Sequence, residues 1–278
     1  MNPRERILAA MAWEEPDQVP LTVYDWIPPR GAAERLLREA GVGLVVRLPA
    51  HRVEHRQVEI VTQEYWEAGR LHLRRTLRAP VGEVWQTLTP EPVYGTSNWI
   101  QEHFIKGPED YPAVEFYYRD AVYRDNLEVI REARRRLGED GVVMVRVAKA
   151  PLQEMLYQLM GYEQFAVDYL EHRDRFDSLH ATLAKRYTEL YQLAAETPVE
   201  IVQLGDNVSS DVVGRERFRR YLMPEYARLR ECLRAACKRL AVHMDGRLRA
   251  LVDEIGAAEL DIVEAITPPP MGDVSLEA

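Results

Sequence analysis

The chain has 278 residues, 46% of them hydrophobic and 29% charged, and its 36 basic and 45 acidic side chains leave a formal charge of −9. No run reaches the roughly 18 consecutive apolar residues of a membrane span, and the opening MNPRERILAAMAWEEPDQVP lacks the apolar stretch of a secretory signal, so a cytoplasmic protein is expected. The acidic balance argues against a nucleic-acid footprint and leaves small-molecule chemistry as the expected function class.

NPRERILAAMAWEEP has helical spacing and stops at a proline. Val19 to Trp26 reads as a strand, AAERLLREAG as a helix ending on Gly41, and GLVVRLP as a second buried strand, which together make one βαβ unit. Between Val53 and Thr89 the alternation is broken by AGR and PVG, the pattern of antiparallel hairpins inserted into the repeat. KGPEDY then opens two helical stretches, the second ending on Gly138, and Gly141 to Ala148 is a third strand. The long segment PLQEMLYQLMGYEQF…AAE is helical throughout. VEIVQLGDN is a fourth strand, the segment around Pro224 a long helix, LAVHMDG a fifth strand, RLRALVDEIGA a helix and LDIVEAITPPP a sixth strand. No GxGxxG or GxxxxGK follows any strand, so a nucleotide-binding doubly wound sheet gives way to a (β/α)8 TIM-barrel type, an α/β fold with six barrel strands recognisable. Cys232 and Cys237, five apart in one helical pattern, fit neither a zinc spacing nor a disulfide framework and read as reduced packing residues.

In a barrel the chemistry belongs at the carboxyl ends of the strands. Those ends carry Asp25 and Trp26, Arg47 and His51, Arg146 and Lys149, Asp206 and Asn207, His243 and Asp245, and Glu264. His243 and Asp245 stand two apart, so in an extended strand they share a face, where an imidazole and a carboxylate bind a divalent metal or share a proton. The alternative is a core histidine beside an Asp helix cap. Glu264, ending the next strand, adds a third group to the metal reading, since a mouth carboxylate is costly to bury alone. Asp206 and Asn207 either bind a substrate carboxylic or amide group or shape their loop through Asx-type turns. Tyr157 either reaches into the mouth or packs as an aromatic. Arg146 and Lys149 suit an anionic substrate, or else serve as structural cations.

NPRERILAAMAWEEPDQVP, APLQEMLYQLMGYEQF, LGDNVSSDVVGRERFRRYLMPEY and HMDG followed by VEAITPPPMGD together resemble the uroporphyrinogen decarboxylase superfamily from Asn2 to the end of the chain. The resemblance implies a (β/α)8 barrel and either the haem-pathway decarboxylase or a corrinoid-linked, zinc-dependent methyltransferase. The decarboxylase's RQAGR-type motif is replaced by DWIPPRGAAER, with only Arg30 and Arg35 available, and VVRLPAH stands where its aspartate would be. Tyr157 matches the family's middle tyrosine, whereas Gly214 takes the place of its serine. RRTLRAPVGEVW is similar to the methyltransferases' TPVGT-type segment. His243 matches the histidine of their zinc-binding HxC motif, with Asp245 in place of the cysteine. The resemblance therefore implies methyl transfer between a corrinoid, carried as methylcorrinoid on a partner protein, or a methylated small molecule, and an acceptor. Its metal would be zinc held by His243, Asp245 and Glu264, with Asp206, Asn207 and Tyr157 orienting the substrate. The alternatives are tetrapyrrole decarboxylation, with Arg146 and Lys149 holding acetate groups, and a non-catalytic barrel homologue.

Six strands are two short of a closed barrel, and the chain stops in MGDVSLEA at what reads as a helix start. One barrel domain over 1–278 is expected, with 53–89 as a hairpin insertion and the last two βα units missing. Its strand edges would then need cover from another chain, such as a second copy in a homodimer.

Overall fold

A computed structural model describes residues 1–91 and 98–275; the end of MGDVSLEA, where the sequence suggests a helix start, lies outside them. The chain divides into two compact units, residues 1–52, 125–148 and 190–278 in the first and 53–124 and 149–189 in the second.

The first unit begins with α1 (Pro3–Met11). The Asn2 side chain accepts from the Glu5 amide at 2.8 Å and the Glu5 carboxylate accepts from the Asn2 amide at 2.9 Å, a reciprocal cap that starts the helix at Pro3. There follow β1 (Thr22–Tyr24), α2 (Ala32–Glu39), β2 (Gly43–Pro49), α4 (Leu127–Leu137) and β9 (Gly141–Arg146); α3 and β3 to β8 come between β2 and α4 and are given with the second unit. The unit continues with β10 (Ile201–Leu204), α8 (Ser210–Arg217), a π-helical turn at Phe218–Leu222 and α9 (Met223–Ala235), then β11 (Arg239–His243), α10 (Val252–Ala257) and β12 (Ile262–Glu264). The six strands form one parallel sheet in the order β1-β2-β9-β10-β11-β12, curled as part of a (β/α)8 barrel, as the segment order predicts. β9 and β10 are buried almost throughout, which is why they read as unbroken apolar runs. Ile7 of α1 packs in one core cluster with Val142, Met144, Ile201 and Ala241, so the first helix closes one end of the concave face of the sheet.

Some local features depart from expectation. The strand expected over Val19 to Trp26 is only Thr22–Tyr24, because Val19 and Leu21 lie in solvent and have nothing to pack against. Gly214 adopts a φ of +63°, a left-handed conformation that kinks α8 and that a serine would adopt only with strain. Cys232 is half-buried near the Tyr191 carbonyl, but Cys237 is exposed and is not a packing residue.

In the second unit, β4 (Glu59–Glu67), β5 (Arg70–Ala79), β6 (Gly82–Pro90) and β7 (Asn98–Glu102) form a four-stranded antiparallel sheet. Ala68 and Gly69, both with positive φ, make the two-residue turn that pairs Glu67 with Arg70. β3 (His51–His55) pairs with β8 (Ala121–Asp125), a strand the sequence reading passes over as part of a helical stretch. Asp120, at the end of α3 (Tyr111–Asp120), accepts hydrogen bonds from the amides of Arg56, Gln57 and Val58 at 2.8 to 3.0 Å and so pins the loop leading into β4. The long helical segment is broken into α5 (Pro151–Glu154), a π-helical turn at Met155–Met160, α6 (Gly161–Glu171) and α7 (Arg173–Ala195). Among the described residues no helix is long and apolar enough to cross a membrane.

Candidate active site

The concave face of the parallel sheet carries two layers. Val45, Met144, Ile201, Ala241 and Ile262 line a cavity of about 350 Å³ with Ile7, Met11 and Tyr24. Strand side chains repeat every two residues, so Arg47, Arg146, Gln203, His243 and Glu264, each two positions further along its strand, lie on the same face toward the carboxyl end. The pairing of Arg146 with Gln203 and of His243 with Glu264 puts these side chains on neighbouring strands at matching levels.

His243 and Asp245 do meet, and Glu264 joins them. The imidazole lies between two carboxyl groups, with Nδ1 at 3.4 Å from Glu264 Oε2 and Nε2 at 3.4 Å from Asp245 Oδ2. Glu264 is largely enclosed, and burial pushes its carboxyl up to about 7. Asp245 keeps 45% of its side chain exposed and opens the other end of the line to water. Gln203 Nε2 donates to Glu264 Oε2. The sequence reading misses Gln203, although a glutamine two residues after Ile201 in an otherwise apolar strand is itself the signal of an inward polar group.

The arrangement does not fit the expected zinc triad. Each ring nitrogen faces a different carboxyl group, and one ion binds only one nitrogen of an imidazole, so His243, Asp245 and Glu264 do not converge on a point. Among the described residues no group of three or more His, Cys, Asp or Glu side chains is placed to hold a metal ion. What the three groups form is a row, Glu264, His243 and Asp245, with 3.4 Å between neighbours.

The other expected site residues are placed as follows. Asp206 is fully buried and accepts from the Tyr226 hydroxyl at 2.7 Å. Its neighbourhood holds a second buried pair, Tyr191 donating to Glu225, whose carboxyl burial pushes up. Asp206 therefore ties α9 to the end of β10. Asp206→Ala leaves the Tyr226 hydroxyl without its acceptor and is expected to cost about 2–3 kcal/mol in denaturant unfolding. A second change, Tyr226→Phe, should add little to that loss, because the interaction is already gone; two full, additive losses would contradict the pairing. Asn207 takes a φ of +53° and donates its amide to the His243 carbonyl at 3.0 Å, so its backbone fixes the end of β11. Arg146 lies in the polar layer. Tyr157 and Lys149 belong to the second unit, where Tyr157 lies in the π-helical turn, packs edge-on against Tyr162 and has the Lys149 ammonium 5.2 Å from its ring centroid.

Arg47, a strand-end residue to which the sequence reading assigns no role, packs its guanidinium 3.9 Å from the Tyr24 ring centroid and 5.8 Å from that of Trp26. Asp25, the nearby acid, bonds instead to Arg30 at 2.8 Å.

A parallel sheet with helical crossovers defines a (β/α)-barrel type of protein, and the polar layer at the carboxyl ends of its strands lies where barrel enzymes carry their sites. The sequence model of uroporphyrinogen decarboxylase (URO-D) matches residues 100–267, more than half of the chain, and the chain belongs to that family. Among solved structures it is similar to a methyltransferase from Methanosarcina mazei, with a TM-score of 0.53 and 13% identity over 95% of this chain and 75% of that one, a likeness of fold. No curated protein matches the sequence.

Proposed function

We propose that this chain is a methyltransferase of the family, moving a methyl group between a methylated small molecule and a corrinoid on a partner protein. The observation that carries the reading is the line Glu264–His243–Asp245, with a carboxyl group that holds its proton near neutral pH. When a methyl–oxygen bond breaks, its electron pair stays on the oxygen, and protonating that oxygen removes the charge that would otherwise build up. Glu264 supplies the proton, His243 returns one to Glu264, and Asp245 connects the ring to water. In the opposite direction the same line accepts the proton that an acceptor thiol or hydroxyl loses as its new bond to carbon forms. The corrinoid would supply the nucleophile in one direction and the methyl group in the other. No step here is routed through zinc, since the three side chains do not make one donor set.

The purified chain, given reduced cobalamin and a panel of methoxy and methylamine donors, is expected to form methylcobalamin, and His243→Ala is expected to lose at least a hundredfold in rate. Absence of transfer in both directions, with coproporphyrinogen formed from uroporphyrinogen by the same preparation, would replace this reading with the decarboxylase.

A further inference from the structure

The methyltransferases that the sequence resembles bind zinc through an HxC motif, so their donor set includes a thiolate. This chain has two cysteines, and neither is placed to serve. Cys232 is on α9, where its thiol donates to the Tyr191 carbonyl at 3.5 Å and burial pushes it up, so it keeps its proton. Cys237 is in the turn that leads into the amino end of β11, and His243 ends that strand about 13 Å further on. The donors that remain are His243, Asp245 and Glu264, and the imidazole ring separates them. An ion on Nδ1 lies beside Glu264 with the ring between it and Asp245, and an ion on Nε2 lies beside Asp245 with the ring between it and Glu264. Either position offers one nitrogen and one carboxylate, whereas zinc sites use three or four protein ligands. Gln203, 1% exposed, narrows the choice further. It donates Nε2 to Glu264 Oε2, the oxygen that faces Nδ1, and so presents the positive end of its amide to the atom that an ion there would bind.

We infer that this chain has no zinc centre, and that His243, Asp245 and Glu264 work as a metal-free acid–imidazole site in which the Gln203 amide meets Glu264 in place of a cation. The two arrangements exclude each other. A divalent ion at coordination distance would hold Glu264 as a carboxylate, because a nearby positive charge favours the charged form, while a single amide N–H allows the enclosed carboxyl to keep a proton. Asp245 supports the same change. A carboxylate accepts from an imidazole N–H far better than sulfur does, and Asp245 Oδ2 lies 3.4 Å from Nε2. The inference goes beyond the methyl-transfer reading, which takes no step through a metal but does not say whether the protein carries one, and it holds whichever reaction the site performs.

The test is metal binding by the whole chain with no corrinoid or methyl donor present, so failure of methyl transfer does not affect it. The protein is purified without chelator, incubated with excess zinc sulfate and desalted, and its zinc is counted by plasma mass spectrometry. The wild type is expected to retain on the order of 0.1 zinc per chain or less, and its melting temperature should be the same in zinc sulfate and in EDTA. Cobalt(II), whose visible absorption reports tetrahedral coordination, should show only the spectrum of the hydrated ion. His243→Ala and Glu264→Gln, each checked for folding by circular dichroism, locate any zinc that is kept. Zinc that both variants also retain is bound elsewhere and agrees with the inference. A full equivalent held by the wild type and lost in either folded variant overturns it, as does a tetrahedral cobalt spectrum that His243→Ala abolishes. Should neither variant fold, the wild type decides alone: a full equivalent of tetrahedral ion overturns the inference, and its absence upholds it.

Discussion

Glu264→Gln is expected to lower turnover by about 10²–10⁴-fold and at the same time to stabilise the protein at pH 8. Both effects come from one placement. The carboxyl is largely enclosed, beside Gln203 and His243, and burial raises it from its ordinary value of 4.5 to about 7. Between those two values the folded state holds a proton that the unfolded state has released, so wild-type stability is highest below about pH 4.5 and falls as pH rises through 7. The span corresponds to about 3 kcal/mol, at about 1.4 kcal/mol per tenfold change in proton affinity, as far as this one group is concerned. Glutamine keeps the shape and a hydrogen-bonding group but has no proton to lose, so the decline over that window should flatten while the acid arm of the site disappears. A group that is costly for folding and necessary for chemistry is the expected signature of an active site. Denaturant unfolding from pH 4.5 to 8.5, beside the cobalamin assay, checks both. An active variant, or an unchanged slope of stability against pH, would show that Glu264 is an ordinary structural acid.

Gly141→Ala should be the most damaging single methyl group in the sheet. Gly141 begins β9 opposite Leu44 of β2. A Cβ there would fall 1.9 Å from the Leu44 carbonyl oxygen and 2.7 Å from its carbonyl carbon and amide nitrogen. All three are backbone atoms, and Leu44 is fully buried, so no side chain can swing aside and the two strands must part. A cost of about 3 kcal/mol or more follows, a large part of the roughly 5–15 kcal/mol by which domains are stable, and the melting temperature should fall by roughly 10 °C. Gly256→Ala supplies the comparison. That glycine lies exposed inside α10 with nothing within 4 Å of its added Cβ, so alanine should be neutral or stabilising by up to about 1 kcal/mol. Equal melting temperatures for the wild type and Gly141→Ala would contradict the strand spacing.

The order of strands and helices in the first unit is legible in the sequence because its central parallel strands β9, β10 and β11 are buried and announce themselves as short apolar runs between helical patterns. The same rule hides β3 and β8, whose residues are mixed in character and become strands only by pairing with each other. The two π-helical turns are invisible to periodicity, since a single wide turn changes the spacing by one residue inside a segment that is still helical.

The site divides along similar lines. His243 and Glu264 follow from strand ends and alternation, because position two after an inward apolar residue is inward again. Asp206 is not placed by that logic: it lies just past the end of β10, where the chain has left the extended geometry, and only the packing of Tyr226 shows that the carboxylate turns into the protein. What the sequence by itself determined is local, namely the element order, the alternation that assigns each strand residue to a face, and the glycine positions. Which nitrogen of His243 faces which carboxyl group, that Gln203 reaches Glu264, and that Arg47 stacks on Tyr24 were decided only by tertiary structure. Those outcomes depend on the relative register of separate strands, and register is set by packing between segments far apart in the chain, which no single segment encodes.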